Sequence, residues 1–141
     1  MRQAKGRAVA VNGRSVYVEE SGHGTDWVVL EAGSGQGRTC WDAVVPLLDR
    51  ARLVAYDRTG FGRSGRPRER LGIDDMAADL VALIEAVLPA AAPLVLVAHS
   101  MGGLVARRAV ERLGSRLGGL LLVDPTPESA PVYDRFDQTA R

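Results

Sequence analysis

Apolar residues gather in short, nearly unbroken runs along this chain, separated by polar stretches that contain glycine. Trp27-Val28-Val29-Leu30, Leu53-Val54-Ala55-Tyr56, Leu94-Val95-Leu96-Val97-Ala98 and Leu120-Leu121-Leu122-Val123 are four such runs. Consecutive apolar positions put both faces of a strand in the core, as in the middle of a parallel sheet. Ala8–Val11 and Val16–Glu20 read as strands joined by Asn12-Gly13, a dipeptide suited to a tight hairpin turn with positive φ. Elsewhere the period changes. Met76, Leu80, Leu83, Ile84, Val87 and Leu88 recur at three- to four-residue spacing and predict a helix over 74–88. Asp74 and Asp75 suit its positive N-terminus, and Pro89 follows its end. Met101–Leu113 reads as a second helix stopped by Gly114. Trp41–Leu48 reads as a shorter helix that Pro46 breaks or restarts. Asp57–Gly72 is a long loop rich in Gly and Arg, and 126–141 is a polar tail broken by Pro127 and Pro131.

Two opening strands followed by strand–helix alternation indicate an α/β fold with a mostly parallel sheet. Ligands of such sheets bind at the C-terminal ends of the strands. The turns after Leu30, Tyr56 and Ala98 are therefore expected along one edge.

The turn after Ala98 is the one with chemistry in it. A strand ends, Ser100 follows within two residues, and a helix begins at once. A serine at such an apex is expected to be strained, with positive φ, and strain of that kind persists where a site needs it. Crowding then requires small residues two before and two after it, and these are Ala98 and Gly102. The pattern is a nucleophile elbow with Ala in place of the first Gly of G-x-S-x-G. Ser100 is the candidate nucleophile, and the Met101 N–H, opening a helix, is a candidate oxyanion donor.

Composition bounds the reading without changing it. The 141 residues are 46% hydrophobic and 25% charged, which suits one soluble, globular domain with a real core. A net charge of +1 provides no field for nucleic acid or an anionic membrane. One cysteine, Cys40, excludes an internal disulfide and makes a reducing, cytoplasmic setting the default. No apolar run suits a signal peptide or a transmembrane helix. No spacing of ligands suggests a metal, no cofactor is implied, and Cys40 reads as a packing residue.

Two other glycine patterns compete. Gly60-Phe61-Gly62-Arg63-Ser64-Gly65 is literally G-x-G-x-x-G, but Arg66-Pro67-Arg68 follows where a dinucleotide site needs a helix. Ala32–Thr39 approaches a phosphate-binding loop, with Ala32 for its first Gly and Arg38 for its Lys; both changes remove what the phosphate cradle needs. The arginines from Arg63 to Arg70 read as a solvated loop.

Several stretches together resemble the N-terminal part of the α/β-hydrolase fold family, serine-nucleophile type. Leu30-Glu31-Ala32-Gly33-Ser34-Gly35 looks like the family's oxyanion loop after strand 3, with Ala32-Gly33 where a His-Gly pair often stands. Trp41, Val44, Pro46 and Leu47 look like its first helix. Asp57-Arg58-Thr59-Gly60-Phe61-Gly62-Arg63-Ser64 is similar to its D-x-x-G-x-G-x-S loop, Ala98–Gly103 to its elbow, and Leu122-Val123-Asp124-Pro125 to the end of its strand 6. The resemblance implies a serine hydrolase acting on a small acyl substrate, with an ester, amide, lactone or C–C bond cleaved through an acyl-enzyme. It implies Ser100 as nucleophile, with Met101 and Ser34 supplying oxyanion N–H groups. Asp124 stands where some members place the triad acid, although the usual acid follows a further strand.

One element of the family pattern is not found. The triad histidine comes after the last strand, and no histidine follows Ser100 here. His99 reads as a packed or hydrogen-bonded residue turned away from Ser100 Oγ, and His23 as a surface turn residue at the opposite end of the sheet. Residues 1–141 are therefore expected to form a single incomplete α/β-hydrolase domain ending after about strand 6. Strands 7–8 and the cap would be absent, and 126–141 would be a tail or the start of a cap. Strand 120–124 would then be an exposed edge open to self-association. Two other readings stay open: an inactive remnant that binds acyl compounds or a partner, and one half of a complemented hydrolase.

Overall fold

The computed structural model describes residues 5–129. Six strands form one sheet: β1 (Lys5–Val11), β2 (Arg14–Gly22), β3 (Trp27–Glu31), β4 (Arg52–Asp57), β5 (Leu94–His99) and β6 (Leu117–Val123). Their spatial order is β1-β2-β4-β3-β5-β6. The β1–β2 and β2–β4 pairs are antiparallel, and β4, β3, β5 and β6 run parallel. The hairpin turn between β1 and β2 has φ of 46° at Asn12 and 76° at Gly13, the pair of positive values this dipeptide favours. The C-terminal part of the sequence, 130–141, lies outside the described residues, and with it most of the polar tail.

Two helices, α1 (Ile73–Val87) and α2 (Gly102–Leu113), pack on each other and on one face of the sheet. The periodic residues do this work: Met76, Leu80, Leu83 and Ile84 of α1 are each no more than 2% exposed, as are Leu104 and Val105 of α2. Strand residues Val29, Val54, Leu94 and Leu96 meet them from the sheet. The first turn of α1 is closed by the Asp75 carboxylate, which accepts the Gly72 N–H at 2.9 Å. Helix α2 ends at Gly114, whose φ of 53° suits a glycine stop.

The other face is covered more thinly. Leu30, Ala55 and Val97 lie under Trp41, Val44 and Val45. The helix expected over Trp41–Leu48 is replaced by two 3₁₀ turns, Arg38–Trp41 and Val45–Leu48. Pro46 is the reason, because it lacks the N–H that a continuous helix would need; it sits instead in the first turn of the second piece. Leu47 points away from the core and is 79% exposed.

Strand β6 also differs from its expectation as a strand buried on both faces. Among the described residues it pairs only with β5. Leu120 and Leu122 pack on the core, while Leu121 and Val123 are 56% and 40% exposed on the opposite face. Val95 of β5 lies exposed on that same face.

A buried carboxylate joins the hairpin to α1. Asp79 of α1 accepts hydrogen bonds from Asn12 Nδ2 at 2.9 Å and from Arg14 Nη2 at 2.7 Å. The Thr59 hydroxyl reaches the same group at 3.5 Å. Removing the carboxylate leaves the buried Thr59 hydroxyl short of an acceptor, whereas Asn12 is exposed and the Arg14 side chain keeps 27% of its exposure, so both stay hydrated. Asp79→Ala is therefore expected to lower the unfolding free energy by about 1–3 kcal/mol, measured by urea titration. A loss below the error of that titration would remove Asp79 from the stabilising groups.

Candidate active site

Ser100 occupies the apex between β5 and α2 with φ of 51°, the left-handed conformation expected for it. Its backbone is held on both sides. The Ser100 N–H donates to Val123 O at 3.1 Å, and its carbonyl accepts from Gly103 N–H at 2.9 Å and Thr126 N–H at 3.0 Å. Ala98 is fully buried, and a Cβ placed on Gly102 would sit 2.4 Å from Ala32 O. Only hydrogen fits there. The small residues on either side of Ser100 thus answer a real crowding, and its source is the end of the neighbouring strand, β3.

The chain beyond β3 turns at once. Gly35 has φ of 68°, and the Gln36 N–H makes a long bond to Gly33 O at 3.4 Å, so Gly33–Gln36 is a β-turn with a left-handed third residue. Ser34 is exposed at its second position. A Cβ on Gly33 would lie 3.2 Å from Ser100 Cβ. The β3 and β5 turns therefore touch at Gly33 and Ser100, and Ser34 and Met101 are the residues that follow these two in the chain. Met101 is fully buried at the start of α2.

Beneath this turn lies a charged cluster that sequence reading did not single out. Glu31 is fully buried at the end of β3. Its carboxylate accepts from Arg58 Nε at 3.1 Å and from the Tyr56 hydroxyl. Arg58 Nη2 also donates to Ala32 O at 2.6 Å. The cluster anchors Ala32, the residue that precedes the Gly33 turn. Its only signal in the sequence was an acidic residue continuing an apolar strand.

A second carboxylate accounts for one glycine of the G-x-G-x-x-G stretch, Gly62. Asp57, 1% exposed, accepts the N–H groups of Arg38 and Arg63, each at 2.9 Å, and meets Arg38 Nη1 at 2.8 Å. A Cβ on Gly62 would lie 2.2 Å from Asp57 Oδ2, and one on Gly37 would lie 2.6 Å from Oδ1. These glycines make room for an internal carboxylate. Ser64 accepts the Tyr17 N–H at 2.8 Å and so ties the same loop to β2.

The remaining candidates fall as follows. Asp124 follows β6 with φ of 43° and an exposed side chain, and the Val123 and Thr126 bonds to Ser100 hold its segment beside the β5 turn. His99 Nδ1 lies 3.0 Å from Gln36 Oε1, in line with a hydrogen-bonded role. His23 lies in the connection before β3, at the opposite edge of the sheet, where its N–H donates to Asp49 O at 2.9 Å. Cys40, expected to pack, is exposed, because the chain around it is a 3₁₀ turn on the surface. Among the described residues no group of three or more His, Cys, Asp or Glu could hold a metal ion, and no helix is long and apolar enough to cross a membrane.

A mostly parallel α/β sheet with a strained serine at the C-terminal end of a central strand defines a class of enzyme scaffold. Residues 23–141 match the family model described as the alpha/beta hydrolase family, and the chain belongs to that family. It is 29% identical over 116 residues to methylesterase 9 of Arabidopsis thaliana, covering 77% of this chain and 45% of that protein. It is 32% identical over 132 residues to the rat (Rattus norvegicus) 1-acylglycerol-3-phosphate O-acyltransferase ABHD5, covering 88% and 38%. Among solved structures it superposes on the epoxide hydrolase VrEH1 of Vigna radiata with a TM-score of 0.80 at 25% identity, covering 94% of this chain and 45% of that one. The chain spans less than half the length of the curated relatives it matches.

The Tyr56 phenol makes the buried cluster sensitive to alkali. Burial, and then the negative charge of Glu31, push its pKa well above the ordinary value of 10.0. The folded state therefore keeps a proton that the unfolded state loses, so the stabilisation is complete below about pH 10 and falls as pH rises further. Urea titrations between pH 8 and 11.5 are expected to show the wild type losing up to about 1.4 kcal/mol per pH unit more than Tyr56→Phe above pH 10. Parallel curves for the two proteins would refute this.

Proposed function

We propose that this chain carries the nucleophile and oxyanion half of a serine hydrolase that cleaves ester, amide, lactone or C–C bonds of small acyl substrates through an acyl-enzyme. The observation that carries the reading is the left-handed Ser100, φ 51°, with the Gly33 turn packed against its side chain. A strained turn of this kind keeps a hydroxyl presented at the mouth of the sheet, and strain is retained where a site uses it. Ser100 Oγ attacks the acyl carbon. The N–H groups of Met101 and Ser34, one from each of the touching turns, receive the oxyanion. The helix dipole of α2 adds to the Met101 donor. The acyltransferase, esterase and epoxide hydrolase names among the relatives are consistent with acyl or ring-opening chemistry at this edge.

Attack requires a base to take the Oγ proton. His99 has its Nδ1 engaged by Gln36, and His23 is at the far edge. On this reading neither of these two takes that proton, and Asp124, whose segment the Val123 and Thr126 bonds hold beside Ser100, is the candidate carboxylate for orienting the base. A fluorophosphonate probe tests the nucleophile. Ser100 is expected to be labelled slowly in this chain and faster when imidazole is added as a surrogate base, with mass spectrometry locating the adduct and Ser100→Ala abolishing it. Label scattered over other serines, or none with imidazole present, would sink the assignment.

A second reading is favoured by the exposed apolar strip of Val95, Leu121 and Val123 beside the edge of β6 that has no partner strand among the described residues. It makes this strand an association surface for another chain or a second copy. Sedimentation velocity is expected to show concentration-dependent dimers that Leu121→Lys shifts towards monomer. A monomer at high micromolar concentration in both proteins would exclude self-association.

A further inference from the structure

Gln36 stands between the two turns that meet at Ser100. Its side-chain oxygen accepts the Gly33 N–H at 3.2 Å and lies 3.0 Å from His99 Nδ1. Its own N–H closes the turn on Gly33 O. The amide orientation is set by chemistry, because a backbone N–H only donates and so must face the oxygen. The His99 nitrogen that faces the same oxygen must then carry a hydrogen. In the neutral ring this leaves Nε2 bare, which is the less common tautomer of a free histidine side chain.

The geometry leaves little alternative for the three groups. A Cβ on Gly33 would lie 2.7 Å from Gln36 Oε1, 3.0 Å from His99 Nδ1 and 3.2 Å from Ser100 Cβ. All three converge on one small space beside Gly33, the residue before the proposed Ser34 donor. His99 immediately precedes Ser100 in the chain, so a bond to its ring fixes the β5 turn as well as the β3 turn.

We propose that Gln36 is a positioning residue that bolts the Gly33–Gln36 turn to the Ser100 turn, with His99 held as the Nδ1–H tautomer. Its consequence for catalysis rests on the serine-hydrolase reading: the bolt sets where the Ser34 N–H stands relative to Ser100, and it commits His99 Nδ1 to Gln36 rather than to the Ser100 hydroxyl. The bolt itself is independent of that reading.

Long-range nitrogen–proton NMR of the 141-residue chain labelled at histidine reads the tautomer directly, with His99 distinguished from the other histidine, His23, by His23→Gln. Above the imidazole titration range, wild-type His99 is expected as Nδ1–H. Gln36→Leu is expected to convert it towards Nε2–H and to speed Gly33 amide exchange about tenfold, since the bond protecting that N–H is lost. Gln36→Glu keeps an acceptor oxygen and is expected to retain the Nδ1–H tautomer and the slow exchange. If Gln36→Leu fails to fold, the wild-type tautomer and the Gln36→Glu protein still decide. A wild-type His99 in the Nε2–H form would overturn the proposal, as would a folded Gln36→Leu with unchanged tautomer and Gly33 exchange. No turnover is needed, so failure of the fluorophosphonate test at Ser100 leaves this measurement standing, and the reverse holds equally.

Discussion

Backbone meets backbone where the ends of β3 and β5 turn away from the sheet, and the rest of the site depends on that approach. At Gly102 the space beside Ala32 O admits hydrogen and nothing larger. At Gly33 it is already filled by Gln36, His99 and Ser100. Packing this dense leaves neither turn free to shift without the other. The strained φ of Ser100 is therefore held from outside, by Val123 O and the Thr126 N–H on one flank and the Gly33 turn on the other. Strain of about 1–3 kcal/mol survives only when the surroundings over-determine it, and here they do.

Loops at a sheet edge carry few apolar side chains, so hydrophobic burial alone cannot order them. This chain uses buried carboxylates for that purpose. Glu31 ties the Gly33 turn to Arg58 and Tyr56, Asp57 gathers the N–H groups of two loops, and Asp79 joins the hairpin to α1. A buried charge is costly unless its oxygens are met by several donors, and each of these three is. The same requirement gives Gly62 and Gly37 their role: a Cβ on either would run into the Asp57 carboxylate, so one glycine of the motif that superficially suits a nucleotide makes room for an internal anion instead.

The two faces of the sheet are unequal. Helices α1 and α2 bury one face thoroughly. The other is covered by two 3₁₀ turns near β3 and β4, and among the described residues Val95, Leu121 and Val123 remain exposed towards β6. The site is built at the well-packed end of this gradient, where β3 and β5 are both interior strands.

Local signals were sufficient for the strands, both long helices, the hairpin and the positive φ of Ser100, because each arises from neighbours in the chain: runs of apolar residues, 3.6-residue periodicity, Asn-Gly, and a serine between small residues. The family resemblance rested on the same ordered stretches. Chain order alone did not reveal Gln36, which lies in an unremarkable glycine-rich loop and meets His99 across 63 residues of sequence. Nor did it reveal the acceptors of Arg58 and Arg14 or the exposure of Cys40; the break at Pro46 was legible, but not that the pieces on either side would be 3₁₀ turns. Those outcomes depend on which strands become neighbours. Once β3 lies between β4 and β5, a polar side chain from one turn can satisfy a donor on another, and pairing at that distance is set by the sheet rather than by spacing along the chain. The sequence by itself determined that a serine would be held at a strained strand–helix turn; the tertiary structure decided what holds it there.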